Sequence, residues 1–454
     1  MSVSKFEPSG PLAGSLAPPP DKSISHRAAL LSAMASGTSH VSGYLDSADT
    51  RSTLAAIEAL GAQINIKTTD GSDGSLDLEV EGIGLHGPSE HAGADPLVID
   101  VGNAGTLMRL LPGWLSGQPE GAWTLDGDES IRRRPVDRVA KPLGEMGADV
   151  KARADRLPPL EIRGAGLRGI KYAMPVASAQ VKSCLLLAGL LAEGETTVIE
   201  RDPSRDHTER MLRAAGVDVK TSTEGMSLAI GGRLPGKRVS VRQTEVLVPC
   251  DLAVPGDFSS AAFFIVAALL VPGSRVGLRD VGLNPTRVGL LGILNRMGSR
   301  IEVEEGPPLN GEPRGTITSR HSPLRSTHVT AGEVPLAIDE LPLVALAAAF
   351  AEGETVVRGA EELRHKESDR VATVVDAING AGGDAEAFED GFAVRGTGGL
   401  RGGRISSHGD HRLAMVGALA GLASHNGVEV DGMEAADVSY PGFEEDLRSL
   451  LEHD

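Results

Sequence analysis

Five stretches of the chain are apolar on every helical face for about three turns: AALLSAMA from Ala28, VKSCLLLAGLLA from Val181, SSAAFFIVAALL from Ser259, LPLVALAAAFA from Leu341, and RLAMVGALAGLA, opened by His411. A sixth, GNAGTLMRLL, turns apolar near Leu107. Helices of this kind are buried rather than laid on a surface. Each has a polar, often basic, start. Each is followed by a glycine-containing turn and a β-like run, at 33–43, 115–128, 191–200, 270–280, 350–359 and 422–432. A shorter amphipathic helix then closes most units with a Gly-x-hydrophobic exit, as in STLAAIEALGA at 52–62 and ERMLRAAG at 209–216. The final copy stops at DLRSLLEH with no strand after it. The period of roughly 75 residues exceeds the 20–50 of solenoid repeats. The pattern therefore predicts six compact α/β units, with apolar helices inside and sheets and amphipathic helices outside. That inverts the usual α/β barrel.

A length of 454 residues predicts two domains. Breaks fall at PPPD, 18–21, and at VPCDLAVPGD, 248–257, with three units on each side. One three-repeat domain is expected over 21–250, and another over 1–20 plus 251–454. The polar segments 86–96 and 305–326 read as surface loops. Aromatic residues make up 3% of the chain and the net charge is −18. Both argue against nucleic-acid binding, which needs stacking platforms and a basic face. Local clusters of Lys and Arg in so acidic a chain point instead to a small anionic ligand. The two cysteines, Cys184 and Cys250, make neither a disulfide framework nor a structural metal site. No stretch reads as a signal peptide or a membrane span, so a cytoplasmic protein is expected.

Helix entrances attract anions through free N–H groups and the helix dipole, and several here carry chemistry. In DKSISHR, Lys22 and Ser23 lie at an entrance, Asp21 or Ser23 supplies a cap, and Arg27 lies one turn on from Ser23. In GNAGT, Gly105 permits close approach to backbone, and Asn103 and Thr106 are capping residues. In IRRRPVDR, 131–138, three crowded arginines call for an anion or are a solvated charge run. Ser178 and Gln180 sit at the mouth of an apolar helix. In SRDHTERM, 204–211, Arg205, His207 and Glu209 alternate and Thr208 is a candidate cap; no second pair at metal-ligand spacing follows. Asp339 adjoins an apolar helix, as a cap or as a carboxylate tuned for proton transfer. In ELRHKESDR, Lys366 and Arg370 share a helical face with Glu367 between them; such strings are usually exposed ion-pair lattices. His411 and Arg412 open the last buried helix.

In this order, DKSISHR, GNAGT, SAQVKS, RDHTE, NPTR, KESDR and DHR resemble the 5-enolpyruvylshikimate-3-phosphate (EPSP) synthase family from about residue 15 to 450. SAQVK, RDHTE and NPTR are similar to its class II branch. The resemblance implies two inside-out α/β domains, each of three βαβαββ-type repeats with buried parallel helices, and an active site in the cleft between them. It implies transfer of the enolpyruvyl group of phosphoenolpyruvate to the 5-hydroxyl of shikimate 3-phosphate, with no cofactor or metal. A monomer acting on small molecules, with no nucleic-acid or membrane partner, is expected.

Carried over motif by motif, the resemblance gives Lys22, Ser23, Arg27, Ser178, Ala179, Gln180, Arg205, Asp339 and Lys366 to shikimate 3-phosphate. It gives Lys22, Gly105, Arg134, Gln180, Arg370 and Arg412 to phosphoenolpyruvate. The domain 21–250 then holds most of the shikimate 3-phosphate site, and the other contributes Asp339, Lys366, Glu367, Arg370 and Arg412. Lys22, Asp339 and Glu367 are the catalytic group: Asp339 takes the 5-hydroxyl proton and Glu367 protonates the methylene carbon. Lys366 and Arg370 should lower the pKa of Glu367, whereas proton donation needs it raised. Three positions depart from the family pattern: Pro20 stands where a glycine is usual, Val438 where class I has a lysine, and Gly105 where a glyphosate-tolerant class II enzyme has alanine. The alternatives are the enolpyruvyltransferase acting on UDP-N-acetylglucosamine, whose usual loop cysteine is missing from GDESIRR, and a non-catalytic phosphate-ligand binder, which would need neither Asp339 nor Glu367.

Overall fold

The structure is a computed structural model and describes residues 2–68, 75–88, 96–224 and 236–451. The chain forms two compact units, one of residues 20–254 with 309–312, the other of 1–19, 255–308 and 313–454. They are called here the N-terminal and C-terminal units.

The N-terminal unit carries α1 (Lys22–Met34), α2 (Ala48–Ala59), α3 (Gly105–Ser116), α4 (Asp137–Met146), α5 (Ala179–Gly189) and α6 (His207–Ala214). Its middle repeat shows the plan. Strand Leu97–Asp100, α3, strand Ala122–Asp126, α4 and the hairpin Asp149–Arg153/Leu157–Arg163 follow in order. The first two strands pair in parallel, and the hairpin joins antiparallel through its second strand. This is the βαβαββ unit that the family resemblance implies. The first repeat has no leading strand of its own next to α1. Its sheet is completed by Leu252–Ala253, which pairs in parallel with Ser36–Leu45.

The C-terminal unit carries α7 (Phe258–Leu270), α8 (Gly289–Arg296), α9 (Val334–Ala337), α10 (Leu341–Phe350), α11 (Arg370–Gly380), α12 (His411–Ala423) and α13 (Phe443–Ser449). Here Ala13–Leu16 completes the sheet of the α7 repeat, parallel to Arg275–Gly282. Among the described residues the last repeat has no closing hairpin, and Val3–Phe6 pairs antiparallel with its strand Val428–Asp431 instead. Among the described residues the strands form five four-stranded sheets and one three-stranded sheet.

Burial follows the apolar pattern. Every residue of α7 is buried, as is α5 from Val181 to Gly189. A helix with no polar face needs apolar partners all round, and α7, α10 and α12 pack on one another pairwise. In the N-terminal unit α3 lies so close to α5 that a Cβ on Gly113 would sit 2.2 Å from the Cys184 carbonyl oxygen; only glycine fits that crossing. Cys184 is a core residue, and burial pushes its thiol pKa well up. After the last strand, Tyr440 and Phe443 pack edge-on against Phe264 and Phe263, which fastens α13 to the core.

The segment 305–326 is not a surface loop. Arg314–Arg320 is an inner strand, flanked by Arg300–Glu305 and Arg275–Gly282. Its inward residues Gly315, Ile317 and Ser319 include one large apolar side chain, so alternation was hard to read. Leu309–Glu312 belongs to the N-terminal unit. There Asn310 Oδ1 accepts from Ala253 N at 2.9 Å, and its Nδ2 donates to the Asp251 carbonyl at 2.6 Å. The other expected loop, 86–96, lies mostly outside the described residues.

Candidate active site

In the N-terminal unit the polar residues at the starts of α1, α3, α5 and α6 form two connected clusters. The first is organised by Arg27, which is 4% exposed. Asp21 caps α1 by accepting from Ile24 N at 2.9 Å, so Lys22 and Ser23 stand in the first turn. Arg27 donates from Nη1 to the Ser23 carbonyl (2.8 Å), from Nε to Thr208 Oγ1 (2.7 Å) and from Nη2 to Ser183 Oγ (2.9 Å). One guanidinium thus ties α1 to α5 and α6. Burial pushes its pKa down to about 10; Asp21 and Glu209 oppose that, and Arg205 adds to it. It remains cationic at neutral pH. Thr208 is occupied by Arg27 and by Ser183 Oγ at 2.6 Å, so it does not cap α6, which begins after Asp206. Ser178 does cap α5, accepting from Val181 N at 3.3 Å.

Beneath this cluster Lys182 is wholly buried. Its Nζ lies 3.0 Å from Glu200 Oε2 and 2.7 Å from Glu209 Oε1, and it donates to the Ser204 carbonyl. Burial works against its charge, but the two glutamates outweigh burial and the pKa is raised. Arg205 follows Ser204 directly, so the triad anchors the loop that carries it. His207 and Glu209 have different partners: His207 Nδ1 meets Glu312 Oε1 at 2.8 Å, whereas Glu209 meets Lys182. Lys22 Nζ donates to Asp49 Oδ2 at 3.1 Å, on the first turn of α2.

The second cluster surrounds Gly105, the first residue of α3. A Cβ there would lie 3.0 Å from Arg134 Nη1 and 3.4 Å from Arg109 Nη1. Arg134 Nη2 donates to Asn103 Oδ1 (3.1 Å) and Ser130 Oγ (3.0 Å). Gln180 accepts from Arg109 Nη1 at 2.9 Å and donates to Thr106 Oγ1 at 3.1 Å. Asn103 and Thr106 are therefore spent on side chains rather than on capping; α3 follows Ala104 with no side-chain cap. The arginine run separates into individual pairs. Arg132 takes Asp126, Arg133 takes Glu129 at the surface, and Arg134 turns inward. Arg109 escaped the sequence reading, although it stands one turn on from Gly105.

In the C-terminal unit the charged groups converge on Asp339 and Arg370. Asp339 Oδ1 accepts from Lys366 Nζ at 3.2 Å and from Arg370 Nη1 at 3.4 Å. Arg370 is 1% exposed, with Nε 2.8 Å from Asp410 Oδ2 and Nη2 2.6 Å from Glu367 Oε2. Burial opposes its charge, but Asp410, Glu367 and Asp339 outweigh that and hold its pKa above the ordinary value. Burial likewise pushes the Asp410 carboxyl up, and Arg370 overcomes it, leaving the pKa below the usual range.

Two expectations fail in this unit. Lys366 and Arg370 do not share a helical face: Glu361–His365 is a single 3-10 turn, Lys366 is extended, and α11 begins at Arg370 after the cap Asp369. They meet at Asp339 because the chain folds back there, and Arg370 is no exposed lattice member. Asp339 does not cap α10 either, since Glu340 stands at that position. Arg412, in the first turn of α12, has Nη1 3.9 Å from Glu340 Oε1. Asp410, Glu340 and Arg287 were not among the expected residues. Among the described residues no helix is long and apolar enough to cross a membrane.

Comparison with known proteins bears on this arrangement. The sequence model of the family described as EPSP synthase (3-phosphoshikimate 1-carboxyvinyltransferase) matches residues 6–447. A 3-phosphoshikimate 1-carboxyvinyltransferase of Shouchella clausii is 47% identical over 440 residues, 97% of this chain and 96% of its own. One of Thermus thermophilus is 46% identical over 451 residues, 99% of each. The solved structure of an EPSP synthase from Acinetobacter baumannii superposes with a TM-score of 0.83 at 41% identity, covering 99% of this chain and 98% of that one.

Proposed function

The chain belongs to the EPSP synthase family and catalyses enolpyruvyl transfer from phosphoenolpyruvate to shikimate 3-phosphate, and we propose that the clusters above divide that work between them. Lys22, Ser23, Arg27, Ser178, Ala179, Gln180 and Arg205 hold shikimate 3-phosphate, with Asp339 and Lys366. Gly105, Arg134, Arg370 and Arg412 hold phosphoenolpyruvate, with Lys22 and Gln180 shared. Both substrates are anions, and fixed cations offset their repulsion.

The observation that carries the reading is the placement of two carboxylates, Asp339 and Glu367, on one buried guanidinium, Arg370. A phosphate binder would need neither. In the reaction Glu367 protonates the methylene carbon of phosphoenolpyruvate, and the 5-hydroxyl attacks the adjacent carbon as Asp339 takes its proton. The tetrahedral adduct then gives up one methyl proton, the bond to the phosphate oxygen breaks, and the enol ether and inorganic phosphate leave. Lys366 and Arg370 keep Asp339 an acceptor. Glu367 faces Arg370, and the negative charge of the bound substrates is what favours its protonated form. The rival reaction on UDP-N-acetylglucosamine has no support in the loop 127–133, which holds Glu129 and no cysteine. We infer a monomer acting in the cytoplasm. Phosphate release from phosphoenolpyruvate tests the reading: it should need shikimate 3-phosphate, and release without it, or with UDP-N-acetylglucosamine instead, overturns the reading.

A further inference from the structure

The motif Asn284–Pro285–Thr286–Arg287 has no place in the division of labour above, yet its geometry is tightly specified. Asn284 Oδ1 accepts from Thr286 N (2.9 Å) and Thr286 Oγ1 (2.7 Å), and the Asn284 carbonyl accepts from Arg287 N (2.8 Å). This turn delivers Arg287 into the interior, 3% exposed. Its Nη2 lies 3.1 Å from Asp257 Oδ1, the cap of α7. Its Nη1 lies 3.3 Å from Glu340 Oε1 and 3.9 Å from Asp339 Oδ2. Glu340 is wholly buried at the start of α10; Ser259 Oγ donates to its Oε1, which also faces Arg412 Nη1. One nitrogen of Arg287 thus faces two consecutive carboxylates.

We propose that Arg287 is a positioning residue for the transfer reaction: by clamping Glu340 to the start of α7 it fixes the peptide and the rotamer of Asp339, and through Glu340 the place of Arg412. The inference rests on reading Asp339 as the base. Glu340 itself touches no substrate in this reading; it is where the backbone turns from Asp339 into α10. A buried ion pair is a weak stabiliser, and apolar replacements often serve as well. Stability alone therefore does not account for burying Arg287 between two carboxylates beside a third. The nearest cations on the other side of Asp339, Lys366 and Arg370, hold Oδ1; Arg287 faces Oδ2. The carboxylate is gripped from both sides.

The test compares Arg287→Lys, the double variant Arg287→Met with Glu340→Met, and Asp339→Ala, by steady-state phosphate release and thermal melting. A lysine keeps the charge but cannot bridge Asp257 and Glu340 at once. The double variant removes both members of the Arg287–Glu340 pair, while Asp257 and Arg412 each lose one contact. Misplacement of a catalytic group by about 1 Å costs on the order of 100-fold, so kcat should fall roughly 10- to 100-fold in both Arg287 variants. The melting temperature should stay near wild type, and kcat should fall by a larger factor than the KM for shikimate 3-phosphate, which Asp339 also contacts in this reading, rises. A kcat within about twofold of wild type in either folded variant, with Asp339→Ala inactive, overturns the positioning role alone. Turnover surviving in Asp339→Ala removes the base reading, and this inference with it. A kcat that recovers in step with the melting temperature in the double variant marks Arg287 as merely structural, and also overturns the proposal.

Discussion

Replacing Gly105 by alanine tests the phosphoenolpyruvate pocket with one methyl group. The new Cβ would lie 3.0 Å from Arg134 Nη1. A relaxed contact is about 3.5 Å or more, so Nη1 must retreat by about 0.5 Å. Arg134 has little room to do so, since its Nη2 is already held by Asn103 at 3.1 Å and Ser130 at 3.0 Å. A half-ångström shift takes those bonds to the outer limit of hydrogen bonding, or turns the guanidinium off its ligand. In the second case the bond lost is the one from Arg134 to the anionic ligand, and a hydrogen bond to a charged group is worth about 1.5–3 kcal/mol. Losing the lower figure raises KM for phosphoenolpyruvate about tenfold. Glyphosate, longer than phosphoenolpyruvate, should lose more, so its inhibition constant rises further than that KM. Gly105 does not have a positive φ, and alanine is the better helix former; the melting temperature should hold. The assay is phosphate release at saturating shikimate 3-phosphate, with and without glyphosate. An unchanged KM for phosphoenolpyruvate in a stable Gly105→Ala variant refutes the placement of Arg134 at that substrate.

Asp339→Ala and Glu367→Gln should each lower kcat by about 100- to 10,000-fold, the usual worth of a general acid or base, while both substrates still bind by titration calorimetry. Near-normal turnover removes the residue from its role. Arg205→Ala should weaken shikimate 3-phosphate at least tenfold more than phosphoenolpyruvate, since about 1.4 kcal/mol of a charged contact suffices; equal weakening contradicts the assignment. His26 is fully buried, its Nδ1 2.6 Å from Thr53 Oγ1, and burial pushes its pKa down to about 3. Below pH 6.5 the unfolded chain takes up a proton that the folded chain refuses, so stability falls on acidification by about 1.4 kcal/mol per pH unit from this group. Urea unfolding at pH 7 and pH 5 should show a smaller difference in His26→Asn than in wild type, and an equal difference refutes a neutral His26.

The six-unit plan was legible because a fully apolar helix followed by a glycine turn is a strong local pattern, and it recurs. What was not legible is the exchange of strands. Leu252–Ala253 and Ala13–Leu16 are too short to show alternation, and their partners lie far along the chain. The strand Arg314–Arg320 hid for a different reason: its inward positions are Gly315, Ile317 and Ser319. At the site, motifs located the residues but not their geometry. The spacing of Lys366 and Arg370 fits a helical face, and a 3-10 turn with an extended Lys366 brings them to Asp339 instead. Thr208 had the sequence position of a cap and the structural role of an acceptor for Arg27.

Helix entrances are not all open to an anion. In the C-terminal unit the entrances of α7 and α12 are already occupied by acidic caps, Asp257 bonding Ser259 N and Asp410 bonding Arg412 N. Each carboxylate uses the favourable end of its helix dipole, so those ends offer little to a substrate. Their charge is instead passed to arginines, Arg287 at Asp257 and Arg370 at Asp410. In the N-terminal unit Asp21 and Ser178 cap α1 and α5 in the same way. The start of α3 differs, because Ala104 brings no side-chain cap and Gly105 no side chain at all. Of the five entrances of α1, α3, α5, α7 and α12, that of α3, beside Arg134, is the one without a capping side chain. Salt screens exposed charges but acts weakly on buried ones. Phosphoenolpyruvate affinity should therefore depend less on ionic strength than that of shikimate 3-phosphate, whose Lys366 side chain is 29% exposed against 1% for Arg370 and 11% for Arg412. Equal salt slopes for the two KM values would refute that partition.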